Sequence, residues 1–208
     1  GVLARERTGL PIIPYFSASK VRWILNEVPG ARERAKKGEL CFGTVDSWLL
    51  WNLADGHPHS TDYTNAARTL LFNIRTKEWD DELLALFAVP RAILPEVKES
   101  LSLFGTLADD IAGAPIPIRA VAGDQQASLY AAGAEIGATK ITFGTGIFIM
   151  QIVGEHFQTH PLFFTTLAVG KRGRPVFALE AKIESCAARV TPLIGREREM
   201  GALMNEFA

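Results

Sequence analysis

The sequence predicts an α/β protein built in two unlike parts, and three observations carry that expectation. Up to about residue 125, apolar residues at helical spacing alternate with short β-branched and aromatic runs. From Lys140 to about residue 180, runs of alternating residues are separated by glycine turns, the pattern of antiparallel strands. Between the two lies Ala120-Val121-Ala122-Gly123-Asp124-Gln125-Gln126-Ala127-Ser128, an apolar run that ends in a glycine, an acid and two amides. The change of pattern there marks the expected domain boundary.

Taken in order, residues 1–14 read as a loop punctuated by Gly9, Pro11 and Pro14. Ser17 reads as the N-cap of a helix bearing Val21, Trp23, Ile24, Leu25 and Val28, which Pro29-Gly30 stops. Ala31 to Gly38 is a short charged helix or turn with a solvated face. Leu40 to Val45 is a strand candidate, and Asp46-Ser47 can cap the helix of Trp48, Leu49, Leu50, Trp51 and Leu53. His59 to Thr64 is a polar loop or extended piece, Asn65 to Leu71 a helical turn or bend, and Leu70 to Ile74 a strand. Trp79-Asp80-Asp81-Glu82 opens a helix with acids where the dipole favours them, ahead of Leu83, Leu84, Leu86 and Phe87. Leu101 to Leu107 and Ile118 to Ala122 read as strands, with a helical turn at Asp109 to Ala112. Ala127 to Ala134 is helix-compatible. Lys140–Thr142 and Ile147–Val153 form a hairpin, and Phe163–Val169 and Pro175–Glu180 form another about Gly170-Lys171-Arg172-Gly173. Ile183 to Val190 and Glu197 to Phe207 read as helices. All four tryptophans are expected on core faces.

The 208 residues suffice for one large domain or parts of two. The charges balance, 22 basic against 23 acidic for a net −1, which leaves no electrostatic footing for nucleic acid or an anionic membrane. No run approaches the roughly eighteen apolar residues of a membrane span. Two cysteines, Cys41 and Cys186, indicate no disulfide framework; both are expected to be inert small hydrophobes in a reducing, cytoplasmic setting. The four histidines lack metal-ligand spacing, so no protein-held metal is expected. The chain lacks an initiator Met and begins mid-phrase, which predicts a fragment.

The residue types around Asp124 suit transfer of a phosphoryl group to an alcohol. A carboxylate at a strand end can take the hydroxyl proton, and the turn Phe143-Gly144-Thr145-Gly146 can offer backbone N–H groups and the Thr145 hydroxyl to phosphate oxygens. On the residues alone the better reading of Asp124 is a helix N-cap, and of Gly-Thr-Gly a plain β-turn.

Longer phrases narrow this. They are Pro14-Tyr15-Phe16-Ser17-Ala18-Ser19-Lys20, Phe42-Gly43-Thr44-Val45-Asp46-Ser47-Trp48, Thr61-Asp62-Tyr63-Thr64-Asn65-Ala66-Ala67-Arg68, Trp79-Asp80-Asp81-Glu82, Gly123-Asp124-Gln125-Gln126-Ala127, Phe143-Gly144-Thr145-Gly146 and Phe177-Ala178-Leu179-Glu180. In this order, over roughly residues 8–180, they resemble the FGGY family of carbohydrate kinases, and among its branches the glycerol kinases. The resemblance implies an actin/hexokinase-like fold of two RNase-H-like domains, both partial here. It assigns residues 1–131 to the polyol-binding domain, 132–182 to the start of the ATP-binding domain and 183–208 to a divergent tail. The implied reaction is phosphorylation of glycerol, or a similar small polyol, by ATP with Mg2+, in a cytoplasmic homo-oligomer. Asp124 then matches the general base. Tyr63, Asp124, Gln125 and Phe148 match the substrate site, and Gly144, Thr145 and Gly146 the phosphate turn. Arg68 is expected to be structural or near the cleft.

The departures are also specific. The family's N-terminal Asp-x-Gly-Thr-Thr hairpin, an Arg-Glu pair and a Trp that contact the polyol have no counterpart, and neither do the later glycine-rich segments that hold adenosine. The match fails after Glu180. Ala114-Pro115 stands where some relatives place a Thr-Arg pair for an inhibitor. The 208 residues alone are therefore expected to be inactive, and the alternative to an enzyme is a non-catalytic polyol-binding or interaction module.

Overall fold

The computed structural model describes residues 1–143, 146–160 and 162–184. The chain opens with a helix, α1 (Val2–Thr8), where the prolines and glycine read as loop. Ala4 and Thr8 are buried on it, and it ends on Gly9 at φ 72°, a left-handed turn that glycine adopts without a Cβ penalty. Gly9 is also required sterically: a Cβ there would lie 2.1 Å from the Thr165 carbonyl oxygen, and the Thr165 N–H donates to the Gly9 carbonyl at 3.1 Å.

Helix α2 (Ser17–Glu27) begins at Ser17 itself; Phe16 is its N-cap residue and no side chain caps it. It buries Ala18, Val21 and Leu25, a three- then four-residue spacing that puts one stripe on the core. Trp23, Ile24 and Val28 face out, with Trp23 62% exposed. Helix α3 (Ala31–Lys36) buries Ala31 and Ala35 and turns its charges outward as expected. The predicted strand from Leu40 is absent; that stretch is irregular up to α4 (Val45–Leu53), whose N-cap residue is Thr44. This helix buries Ser47 and Leu50 but exposes Trp48 and Trp51. Three of the four tryptophans thus stand outside the core among the described residues. Only Trp79 is buried, edge-on to Phe72 with its indole N–H on the Pro95 carbonyl. Cys41 is exposed, contrary to its reading as a small core residue, and Cys186 lies outside the described residues.

Short elements follow: β1 (Ser60–Asp62), α5 (Tyr63–Ala66), β2 (Phe72–Asn73), β3 (Glu78–Trp79), α6 (Asp81–Phe87) and β4 (Glu96–Lys98). β1 pairs parallel with β4, Ser60 opposite Glu96, and β2 pairs antiparallel with β3. Next come β5 (Gly105–Thr106), α7 (Asp109–Ala112) and β6 (Pro117–Ile118), and β5 pairs with β6. The strands read at Leu101–Leu107 and Ile118–Ala122 therefore shrink to two residues each. α8 (Asp124–Ala132) leads into the second part: β7 (Thr139–Phe143), β8 (Gly146–Gly154), β9 (Phe164–Val169) and β10 (Pro175–Glu184). These form an antiparallel sheet in the order β7-β8-β10-β9. Both predicted hairpins are present. β10 runs through Ile183 and Glu184, so no helix begins at Ile183; the rest of that stretch and Glu197–Phe207 lie outside the described residues.

Alternation along β8 gives the sheet two apolar faces. Met150 and Ile152, with Ala168, Val176 and Ala178, pack against Leu129 of α8. Ile149, Leu179 and Ala181 pack with Phe163 on the other side. The main core gathers α1, α2, α3, α5, β2 and α6 and reaches Leu167 and Phe177 of the sheet, so the two parts share buried surface.

Asp80 ties three of these elements together. Its carboxylate caps α6 through the Glu82 and Leu83 N–H groups, accepts from the Asn73 amide at 2.9 Å and pairs with Arg7 of α1 at 2.8 Å. Burial works to raise its pKa, but the hydrogen bonds from Asn73, Leu83 and Arg7 outweigh it and hold the carboxyl below the usual carboxylate range. A lowered folded-state pKa means that this stabilisation is full above the unfolded carboxyl's titration range and is lost as pH falls through the folded value. Asp80→Ala is expected to cost about 1–2 kcal/mol in urea denaturation at neutral pH. Asp80→Asn, which keeps a capping oxygen, should instead flatten the acid side of the stability profile.

Candidate active site

The site is built where α5 meets the start of α8. Asp62 ends β1 and caps α5, and its carboxylate is fully buried. It accepts from the Thr64 N–H (3.0 Å), the Thr64 hydroxyl (2.7 Å), the Asn65 N–H (3.0 Å), the Asn65 amide (2.8 Å) and the Ser100 hydroxyl (2.6 Å). Burial pushes the Asp62 carboxyl up, and these hydrogen bonds oppose the rise.

Two of those donors reach on to α8. The Gly123 N–H donates to the Thr64 hydroxyl oxygen at 2.8 Å, and the Val121 N–H donates to the Ser100 carbonyl at 2.9 Å. The segment entering α8 is thus held at two points, both converging on Asp62. A Cβ on Gly123 would lie at ordinary contact distance from the Thr64 hydroxyl, 3.7 Å, and would displace the Gln126 side-chain oxygen, which it would meet at 2.5 Å. Asp62, Thr64 and Ser100 were missed as site residues by sequence reasoning. The available signal was the N-cap preference of Asp62 one residue before a helical turn.

Asp124 is the first residue of α8, not its cap. Gly123 holds the cap position and no side-chain cap bond is made. The Asp124 side chain is exposed and accepts from the adjacent Gln125 N–H at 2.7 Å. The N-cap reading of Asp124 is thus off by one residue, and its carboxylate still accepts a first-turn N–H, that of Gln125. Gln125 is half-buried, and its side-chain oxygen accepts from the Lys140 ammonium at 2.5 Å.

Tyr63 sits beside Thr64 on α5. Its ring is half-buried, 5.9 Å from Phe72 and packed on the main core. Burial, then the nearby charges of Glu99 and Glu78, push its phenol pKa up, so it remains a hydroxyl donor at neutral pH. Phe148, half-buried on β8, is opposite Thr142 and shares the strand face of Met150 and Ile152, the face that α8 covers. Phe148 thus lies on the side of the sheet that α8 covers, and Tyr63 is the chain neighbour of Thr64, whose hydroxyl accepts from Gly123. Of the phosphate-turn residues, Gly146 starts β8 opposite Glu184, while Gly144 and Thr145 lie outside the described residues.

Arg68, expected near the cleft or structural, forms a two-pronged ion pair with the buried Glu180 at 2.6 and 3.1 Å and lies 5.3 Å over the Phe16 ring. Among the described residues, no group of three or more His, Cys, Asp or Glu is placed to hold a metal ion, and no helix is long and apolar enough to cross a membrane.

Mixed helices, short parallel pairing and a four-stranded antiparallel sheet flanking an exposed acid define part of an actin/hexokinase-like kinase fold. The model of the FGGY family of carbohydrate kinases, N-terminal domain, matches residues 3–131, and the chain belongs to that family. It is 50% identical over 203 residues to a glycerol kinase of Thermus brockianus, covering 97% of this chain and 40% of that protein. It is 53% identical over 184 residues to a glycerol kinase of Stenotrophomonas maltophilia strain R551-3, covering 87% of this chain and 37% of the relative. Among solved structures, the Plasmodium falciparum glycerol kinase with ADP superposes with a TM-score of 0.81 at 30% identity, over 99% of this chain and 40% of that one. The chain thus spans about 40% of the length of these relatives.

Thr64→Val keeps the shape of the side chain but removes the hydroxyl that joins Asp62 to Gly123. It is expected to destabilise the protein by about 1–3 kcal/mol, because the Gly123 N–H loses its acceptor. Amide hydrogen exchange should speed up more at Gly123 than in β9 and β10, whose exchange should rise only with the loss of global stability.

Proposed function

We propose that this chain carries the acceptor-alcohol side of an ATP-dependent glycerol kinase, with Asp124 as general base. The observation that carries this reading is the state of Asp124: an exposed carboxylate in the first turn of α8 that accepts from the adjacent Gln125 N–H, on a segment held by the Gly123–Thr64 hydrogen bond. Identity of about half to glycerol kinases supports glycerol as the acceptor.

In this reading the Asp124 carboxylate accepts the proton of a primary hydroxyl as that oxygen bonds to the γ-phosphorus of ATP and the β–γ bridge breaks, giving glycerol 3-phosphate and ADP. Gln125 and Tyr63 hydrogen-bond the polyol, and Phe148 walls its carbon chain. Gly144, Thr145 and Gly146 hold phosphate oxygens through backbone N–H groups and the Thr145 hydroxyl. ATP would bring Mg2+ with it, which would neutralise phosphate charge while keeping several waters and needing few protein ligands. Residues 1–131 form the polyol-binding side, a division supported by the family match to 3–131, and 132–182 begin the nucleotide side. The 183–208 tail is read as divergent. The intact enzyme is a cytoplasmic homo-oligomer, and the 208 residues alone do not turn over.

The test is ADP formation from glycerol and ATP-Mg by the product of the full open reading frame that contains this chain. Asp124→Asn is expected to lower kcat by about 10²–10⁴-fold with little change in KM. Full turnover by the Asn variant would sink the assignment. Glycerol binding without any ADP formation by the unsubstituted protein would favour a non-catalytic polyol-binding module.

A further inference from the structure

One buried cation is not explained by the reading above. Lys140 lies on β7 and is only 7% exposed. Its backbone is in register with Met150 of β8, which is in register with Glu180 of β10, which is in register with Phe164 of β9. Residues directly opposed across a sheet share a face, so Lys140, Met150 and Glu180 stand in one row on the side that α8 covers. Arg68 already satisfies both Glu180 oxygens. The Lys140 ammonium instead donates to Gln125 Oε1 at 2.5 Å.

We infer that Lys140 is a positioning residue that sets which end of the Gln125 amide faces the acceptor alcohol. The proposal deepens the glycerol-kinase reading and rests on it for the identity of the substrate. A primary amide is ambiguous, since either its oxygen or its nitrogen can be turned toward a ligand. An ammonium removes the ambiguity, because it has donors and no acceptor. With Oε1 committed to Lys140, the amide has its Nε2 donors left to offer. The head of α8 then presents a donor on Gln125 beside an acceptor on Asp124. An alcohol oxygen complements that pair: it accepts from Nε2–H with a lone pair while its own O–H donates to the carboxylate.

The surroundings keep Lys140 suited to this task. Burial lowers the ammonium's pKa, while the charges of Asp124 and then Glu180 act against the loss of its proton. The Arg68–Glu180 pair ties the sheet to the helix-bearing half from the other end of the same row. Lys140 belongs to the sheet and Gln125 to α8, so the contact also spans the proposed boundary between polyol and nucleotide sides.

Two measurements test the role. The first needs no activity: 15N relaxation of the Gln125 side-chain amide in this chain. It is expected to be as ordered as the backbone, and to become as mobile as an exposed glutamine in Lys140→Met. An amide equally ordered in both proteins overturns the proposal. Should Lys140→Met fail to fold, Gln125→Met supplies the converse reading. The Lys140 ammonium protons should exchange at least about tenfold faster without their acceptor, and unchanged exchange overturns it. The second measurement is kinetic, on the intact enzyme. Lys140→Met is expected to raise KM for glycerol about tenfold with a smaller change in kcat, and Lys140→Arg, which keeps the donors, to recover part of that loss. Equal losses in Lys140→Met and Lys140→Arg would overturn the positioning role. If the unsubstituted enzyme does not phosphorylate glycerol, the function proposed above fails, while the amide measurement still decides the role of Lys140.

Discussion

The buried carboxylate of Asp62 is the constraint on which the candidate site depends. An ionised carboxylate removed from water is costly unless hydrogen bonds replace its hydration. Five neutral donors do so here, from Thr64, Asn65 and Ser100. Because each lone pair is spoken for, α5 and the end of β4 are fixed relative to β1. The Thr64 hydroxyl that donates to Asp62 then accepts from Gly123, and the Ser100 residue that donates to Asp62 accepts from Val121 through its carbonyl. The position of the α8 N-terminus follows from one acid thirty-eight residues away from Ser100 in sequence.

The sheet constrains the same helix from the other side. Leu129 is buried among Met150, Ile152, Ala168, Val176 and Ala178, so the axis of α8 is set by apolar packing. Arg68–Glu180 and Lys140–Gln125 add polar links between the two parts of the chain. Removing Arg68 would leave the buried Glu180 carboxylate, and removing Gln125 the buried Lys140 ammonium, without that partner, which is more costly than either contact is worth in isolation. Packing therefore sets where α8 lies, and the buried polar links specify how its first turn is turned.

Elements with enough residues to show a period were readable from the sequence. The β7–β8 and β9–β10 hairpins have long alternating strands about glycine turns, and α2, α3 and α6 have clear buried stripes or acidic starts. Strands of two or three residues have no period to show, and β5 and β6 were overextended for that reason. α1 was hidden because Gly9, Pro11 and Pro14 dominate its neighbourhood, although the glycine is its stop. Trp23, Trp48 and Trp51 were misplaced because apolar character does not say which side of a helix meets the core. Trp48, Leu49, Leu50 and Trp51 are consecutive, and one helix face can bury only some of them. In the site, the phrase around Asp124 was legible as chemistry. Lys140 was not, since its meaning lies in a sheet register and a contact to a residue fifteen positions away.

The central claim is that Asp62 and Thr64 act on the proposed chemistry by placing Asp124. A double-mutant cycle on kcat for glycerol phosphorylation by the intact enzyme tests it most directly. The account predicts that Thr64→Val lowers kcat about tenfold when Asp124 is present and has almost no further effect in Asp124→Asn, since a misplaced base and an absent base are one defect. Equal losses in the two backgrounds would contradict it, and would make the Thr64–Gly123 contact a matter of stability alone.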